Sequence, residues 1–313
     1  MIRWFFHILI FPGFLFLLIF GFFAEYLDRK LYARLQNRAG PPWFQPVADF
    51  IKLLTKEELI PEEADVRIFK LMPVLALAAS ISAILYIPVW STKAVFAFNG
   101  DIIVVLYLLT IPTLCYFLGG WYSRSIFSMI GAIRALTQLF AYEVPLFLCI
   151  LACALLADSW SISEIVGFYS RHLGYWFCNM IGFGVAIISL LGKLERVPFD
   201  IPEAETEIVA GAFTEYGGRY LALLRTTLNV EMVVAASLLA AVFLPFGLGL
   251  NPILIFIFYL IQVGCIVALI SFLRTLFARL RLDQMINFCW KYLAPLAFLQ
   301  VLINLIFKGI LPR

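Results

Sequence analysis

Residues 232–273 read MVVAASLLAAVFLPFGLGLNPILIFIFYLIQVGCIVALISFL, 42 positions without a charged side chain. A helix needs about 20 apolar residues to cross the hydrocarbon core of a bilayer, so this run is long enough for two. Pro245, Gly247, Gly249 and Pro252 fall near its middle and mark the turn that divides it. In lipid the backbone has no water to bond, so each half has to be a helix.

The same pattern extends in both directions. Residues 4–24, 71–92, 102–123 and 172–192 contain no Asp, Glu, Lys or Arg, and 135–157 contain only Glu143. Residues 292–307 are a shorter run, with Trp290 and Tyr292 placed to act as interfacial anchors. Eight crossings are therefore predicted, near 4–24, 70–92, 102–123, 135–157, 173–192, 221–246, 252–274 and 289–308. The expected fold is an all-α membrane protein, with 1–313 a single integral membrane domain. It has a long first cytoplasmic loop and an acidic, helix-containing loop between spans five and six.

Composition agrees. The chain is 63% hydrophobic and 14% charged, against roughly 25% charged in soluble domains. Its net charge of +3 comes from basic residues scattered between apolar runs, which gives no footprint for nucleic acid. The six cysteines form no CxxC, and His7 and His172 are far apart, so no metal or iron–sulfur site is expected in this chain. The first apolar run is too long for a secretory signal and lacks a small-residue cleavage site. No internal repeat or appended soluble domain is evident.

Orientation follows from the basic residues. If the N-terminus is outside, segments 25–70, 124–134, 193–231 and 274–291 face inward and hold 18 of the 23 Lys and Arg. Both termini are therefore expected outside the cytoplasm in a multi-pass cell-membrane protein.

One inner loop is unusual. Gly192–Gly211 reads GKLERVPFDIPEAETEIVAG, a dense set of charges in an apolar chain. Pro198 and Pro202 break the preceding helix, and Asp200 is placed to cap a new one. That helix is expected to run through Glu203, Glu205 and Glu207 towards Tyr216, with Glu215 near its end and Gly217-Gly218 as the stop. Glu203 and Glu207 share a face and repel when both are ionised. The plain interpretation is a solvated loop with acids at a helix N-terminus. Against it, Ile201, Ala204, Ile208, Val209, Ala210, Ala212 and Phe213 make the segment substantially apolar. Glu143 and Glu231 also lie within flanking spans, where an ionisable group costs about 2.5–3.5 kcal/mol on insertion scales. Such groups usually face a bundle interior or an aqueous cavity, and a series of them has the chemistry of a proton relay. Lys193 either snorkels to the interface or pairs with Glu195 or the acidic cluster.

ERVPFDIPEAETEIVAGAFTEYGG resembles the signature of the complex I membrane component that joins the redox arm to the membrane arm, the H subunit of NADH-quinone oxidoreductase. DRKLYARLQNRAGPPWFQPVADFIKLLTKE resembles that family's first cytoplasmic loop, and GAIRALTQLFAYEVPL its pattern at Arg134, Gln138 and Tyr142-Glu143. The likeness covers nearly the whole chain. It implies a proton path through Glu143, Lys193, Glu195, Asp200, Glu203, Glu205, Glu207, Glu215 and Glu231. It further implies a peripheral-arm interface formed by Arg29, Arg34, Arg38, Trp43, Gln45, Asp49, Lys52, Arg134 and Arg196. Gln45–Leu54 is expected to be an amphipathic helix at the membrane surface.

Three departures resemble the family's energy-converting membrane-bound hydrogenase branch. The passage Gly40-Pro41-Pro42-Trp43-Phe44-Gln45-Pro46 is short where the family's quinone tunnel runs. Lys193 stands where an acid is usual, with Glu195 two positions on. Glu231 is offset by about one helical turn from the acid of span six. The resemblance thus implies a coupling subunit without a redox centre of its own. Iron–sulfur clusters and a nickel–iron site are expected on peripheral partners, and antiporter-like subunits beside it in the membrane. A quinone-binding subunit, a sulfur-reducing complex, a free-standing proton or sodium transporter and a passive scaffold are the alternatives.

Overall fold

A computed structural model describes residues 2–245 and 251–310, and the side chains of all of these except 2, 3, 173, 205, 206 and 310. The predicted turn residues Gly247 and Gly249 lie outside the described residues. All regular structure among the described residues is helical.

The helices are α1 (Ile2–Leu9), α2 (Phe14–Leu35), α3 (Gln45–Leu54), α4 (Val66–Ile84), α5 (Asp101–Tyr122), α6 (Ile126–Ala157) and α7 (Ile162–Arg171). They continue with α8 (Met180–Lys193), α9 (Glu205–Ile208), α10 (Gly218–Phe243), α11 (Pro252–Leu276), α12 (Leu282–Phe288) and α13 (Ala294–Ile310). Among the described residues, eight segments are long and apolar enough to cross a membrane: Trp4–Leu35, Val66–Ile84, Asp101–Tyr122, Ile126–Ala157, Gly174–Lys193, Gly218–Phe243, Pro252–Leu276 and Leu282–Gly309.

α10 is the central pillar. It is buried along nearly its whole length and packs against α2, α4 and α11. α5, α6, α8 and α13 complete the bundle around it. Gly21 of α2 packs directly against α10, where an added Cβ would lie in ordinary contact, 3.5 Å from the Asn229 backbone.

Several helices run past the predicted limits. α2 continues through Glu25, Asp28, Arg29 and Lys30 to Leu35. α6 spans 32 residues and starts at Ile126, inside the segment 124–134 that charge alone marks as a loop. At 1.5 Å per residue that is about 48 Å, well beyond a hydrocarbon core of about 30 Å. Charge marks where lipid ends, but it does not end a helix. Ser128, Gly131 and Ala132 of this extension are buried, so tertiary packing prolongs it.

The acidic loop differs from the single helix expected over Asp200–Tyr216. It holds only the four-residue α9 and a 3-10 turn at Gly211–Phe213. The chain turns sharply at Val209 (φ 62) and Gly211 (φ 54). At Gly211 an added Cβ would lie 1.7 Å from the Pro202 carbonyl oxygen, so the loop folds directly back on itself there. This doubling back leaves Ile201, Ala204, Ile208, Ala212 and Phe213 buried. Asp200 pairs with Arg279 instead of capping a helix. Gly217 becomes the N-cap of α10, and Gly218 (φ 54) passes close beneath the carbonyls of Lys56 and Glu57.

Candidate ion path and charged cavity

Two groups of ionisable side chains meet around α10. The first lies inside the bundle. Lys193, at the last turn of α8, is 3% exposed and Glu231 of α10 is 0% exposed. Lys193 Nζ lies 2.7 Å from Glu231 Oε1, and it also donates to the Leu109 carbonyl. Lys193 therefore does not snorkel, and its partner is Glu231 instead of Glu195 or the loop acids. Parting one member of such a buried pair costs about 3–5 kcal/mol.

Glu143 of α6 is half-buried and lines, with Thr110, Tyr142 and Lys193, a cavity of about 10 Å³ walled by leucines. That is about room for one water. Tyr142 Oη lies 3.3 Å from Thr113 Oγ1. Glu231 Oε2 and Tyr116 Oη have no hydrogen-bond partner among the described residues.

Glu195 is placed by the end of α8. The Arg196 N–H donates to the Leu191 carbonyl (3.1 Å) and the Glu195 N–H to Gly192 (3.2 Å), closing the helix in a Schellman pattern. The left-handed position is taken by Glu195 itself (φ 50), where glycine is usual. Its side chain is buried, 7% of the residue remaining exposed. Burial pushes the Glu195 carboxyl up to about 8, and the carboxylates of Glu203 and Glu231 add to this against Arg225 and Lys193.

Asp200, Glu203 and Glu207 are held by arginines from distant segments. Glu203 bonds Arg225 (2.7 Å), and Glu207 bonds Arg134 (2.7 Å) with Arg279 at 3.8 Å. The repulsion expected between Glu203 and Glu207 is thereby offset. Burial raises the Asp200 carboxyl, opposed by Arg279 at 3.1 Å. The Arg134 hydrogen bond lowers that of Glu207. Glu215 is half-buried, without an ion pair among the described residues. The Glu205 side chain lies outside the described residues.

The second group lines a cavity of about 400 Å³ between α2, α3 and α10. Glu25 ion-pairs with Arg29 and accepts from Asn229 Nδ2 at 2.5 Å. Arg29 Nη1 reaches Asp49 Oδ2 at 2.9 Å, and Gln45 Nε2 donates to Asp49 Oδ1 at 2.9 Å. Lys52, Arg196 and Arg225 also face this cavity. Asp28, fully buried nearby, accepts from Ser271 Oγ (2.8 Å) and Arg274 Nη1 (3.0 Å), with Arg196 Nη2 at 4.0 Å.

The structure thus gathers Arg29, Gln45, Asp49, Lys52 and Arg196 of the predicted interface, on the expected α3. Arg34, Arg38 and Trp43 are exposed beyond the cavity, and Arg134 engages Glu207. Sequence reasoning missed Glu25, Asp28, Arg225, Asn229, Arg274 and Arg279. A signal exists for two of them. Glu25, Asp28 and Arg29 stand at i, i+3 and i+4 and share one helix face, although a charged run after an apolar span reads first as a loop. Asn229, bonded to Glu25, is two residues from Glu231, so α10 carries both groups.

Known proteins resemble this chain along nearly its whole length. The NADH dehydrogenase family profile matches residues 7–305. The chain is 35% identical to the NADH-quinone oxidoreductase H subunit of Bacillus thuringiensis, over 92% of this chain and 89% of that one. It is 31% identical to the H subunit of Carboxydothermus hydrogenoformans, over 92% and 85%. Among solved structures it superposes on a chain of the membrane-bound sulfane sulfur reductase, an archaeal respiratory membrane complex. The TM-score is 0.82 and the identity 28%, over 93% of this chain and 96% of that one. The chain belongs to the NADH dehydrogenase family. Within it, the chain is a membrane component of a complex I-like assembly, of the type of the quinone-reductase H subunits.

Proposed function

We propose that this chain anchors a peripheral iron–sulfur arm and couples its redox chemistry to movement of protons or sodium ions. The observation that carries the reading is the succession of ionisable groups around α10. It begins at the polar Glu25–Arg29–Asp49 cavity, passes Glu195, and ends at Lys193, Glu231 and Glu143 within the apolar bundle. Electrons stay on the partner's clusters. The carboxylates of this chain accept and release protons beneath them, and Glu195, with its raised value near 8, changes charge close to neutral pH.

The parent on this reading is a membrane-bound nickel–iron hydrogenase or a sulfur-reducing relative. The short passage from Gly40 to Pro46 and the crowding of charge in the 400 Å³ cavity support it, because a quinone ring needs mainly apolar walls. The 31–35% identity to quinone-reductase H subunits favours a second reading, in which the same cavity admits a quinone head.

Glu143→Gln in the assembled complex tests the coupling. The variant is expected to assemble and to lose ion transport at least tenfold, with the linked electron transfer depressed. Assembly with undiminished transport would overturn this coupling reading. A quinone photolabel captured by α2 or α3 would establish the second reading.

A further inference from the structure

Lys193 sits between two carboxylates on different helices. Its ammonium lies 2.7 Å from Glu231 of α10, while Glu143 of α6 lines the same small cavity without an ion pair among the described residues. The Tyr142 ring, 6.0 Å from Nζ and one residue before Glu143, stands beside the ammonium. The lysine stem has four rotatable carbons, and the cavity leaves its head a space to enter.

We propose that Lys193 is a positioning residue that gates the path, its ammonium swinging from Glu231 to Glu143 and back during turnover. The proposal rests on the coupling reading above. With the ammonium at Glu231, that carboxylate is compensated and holds no proton. When the ammonium moves to Glu143, Glu231 is left with one oxygen already unpartnered and no exposure to solvent. An isolated charge cannot persist there, so Glu231 binds one proton, delivered from the Glu195 side. The returning ammonium expels that proton to Glu143, the carboxylate it has just left, and Glu143 releases it onward when the ammonium next arrives. One proton is bound and one released per cycle, and no heavy-atom bond changes. A purely structural ion pair would stay closed throughout.

The decisive variant reverses the pair, Lys193→Glu with Glu231→Lys, in the complex reconstituted into vesicles. A structural pair works equally well in either order. A gate does not, because the mobile ammonium is then tethered to α10. The expected result is at least a fivefold fall in ions moved per electron transferred, whereas an unchanged ratio overturns the gate. Redox-induced infrared difference spectra decide the matter even if the reversed pair fails to assemble. The native complex is expected to show a carboxylic acid carbonyl band that Lys193→Gln removes. Absence of such a band, or its persistence in Lys193→Gln, overturns the proposal. Glu143→Gln separates the two levels. If it leaves transport intact, the coupling reading itself fails. If it stops transport while the reversed pair is normal, only the gate fails.

Discussion

Glu195 shows how one residue acquires its chemistry from where the chain turns. Because it takes the left-handed position after α8, its carboxyl is folded under the helix and rises to about 8. In the unfolded chain the same group releases its proton near the ordinary value of 4.5. Its proton-linked contribution to stability is therefore full below the ordinary value and is lost as pH rises through about 8. Glu195→Gln cannot ionise and removes that dependence. Relative to the native protein, the variant should gain stability between pH 6 and 8, by up to ~1.4 kcal/mol per pH unit. Thermal unfolding of the detergent-solubilised complex across that range measures it, and parallel curves would contradict it. Glu207 has the opposite sign, since Arg134 holds its carboxyl down and the benefit is lost on acidification. Neither sign is legible from composition. The sequence identifies the acids, but their partners, Arg225, Arg134 and Arg279, come from three other segments.

At the scale of the element, the acidic loop depends on the glycine of a helix it crosses. Gly131 of α6 faces the 3-10 turn so closely that an added Cβ would lie 2.4 Å from the Ala212 nitrogen and 2.5 Å from Gly211. Both neighbours are backbone and cannot rotate away. Ser128, one turn earlier, donates to the Ala212 carbonyl at 3.0 Å, which locks the same contact. Gly131→Ala should force the loop off α6 at a cost of about 1–3 kcal/mol. Faster hydrogen exchange over 203–216, with α6 itself unchanged, is the expected result, and unaltered protection would refute it. The loop's apolar content is readable from the sequence, and so is the presence of a turn after Pro198. Its breakage into two short pieces is not, because local propensity favours one helix there. The reversal at Val209 and Gly211 and the backbone packing of Gly211 and Ala212 on Gly131 override that preference.

For the molecule as a whole, the distribution of basic residues predicts the first loop and the acidic loop on one side and both termini on the other. In a Cys265→Ser background, Lys56→Cys and Lys93→Cys are expected to react with a membrane-impermeant maleimide from opposite faces of sealed vesicles. Equal labelling from one face would reverse or break the topology. Eight candidate spans and the helical character of the described residues were determined by the sequence alone, because transfer into lipid is a sum over neighbouring residues and backbone bonds in lipid close within each helix. The lengths of α2 and α6, the cavity beside α3 and the Lys193–Glu231 pair were decided only by tertiary structure. Charge at a helix end reads locally as exit from the membrane, yet Asp28 is neutralised by Arg274 from 246 residues away. Pairing across such distances depends on how the helices assemble around α10, and no local sum contains it.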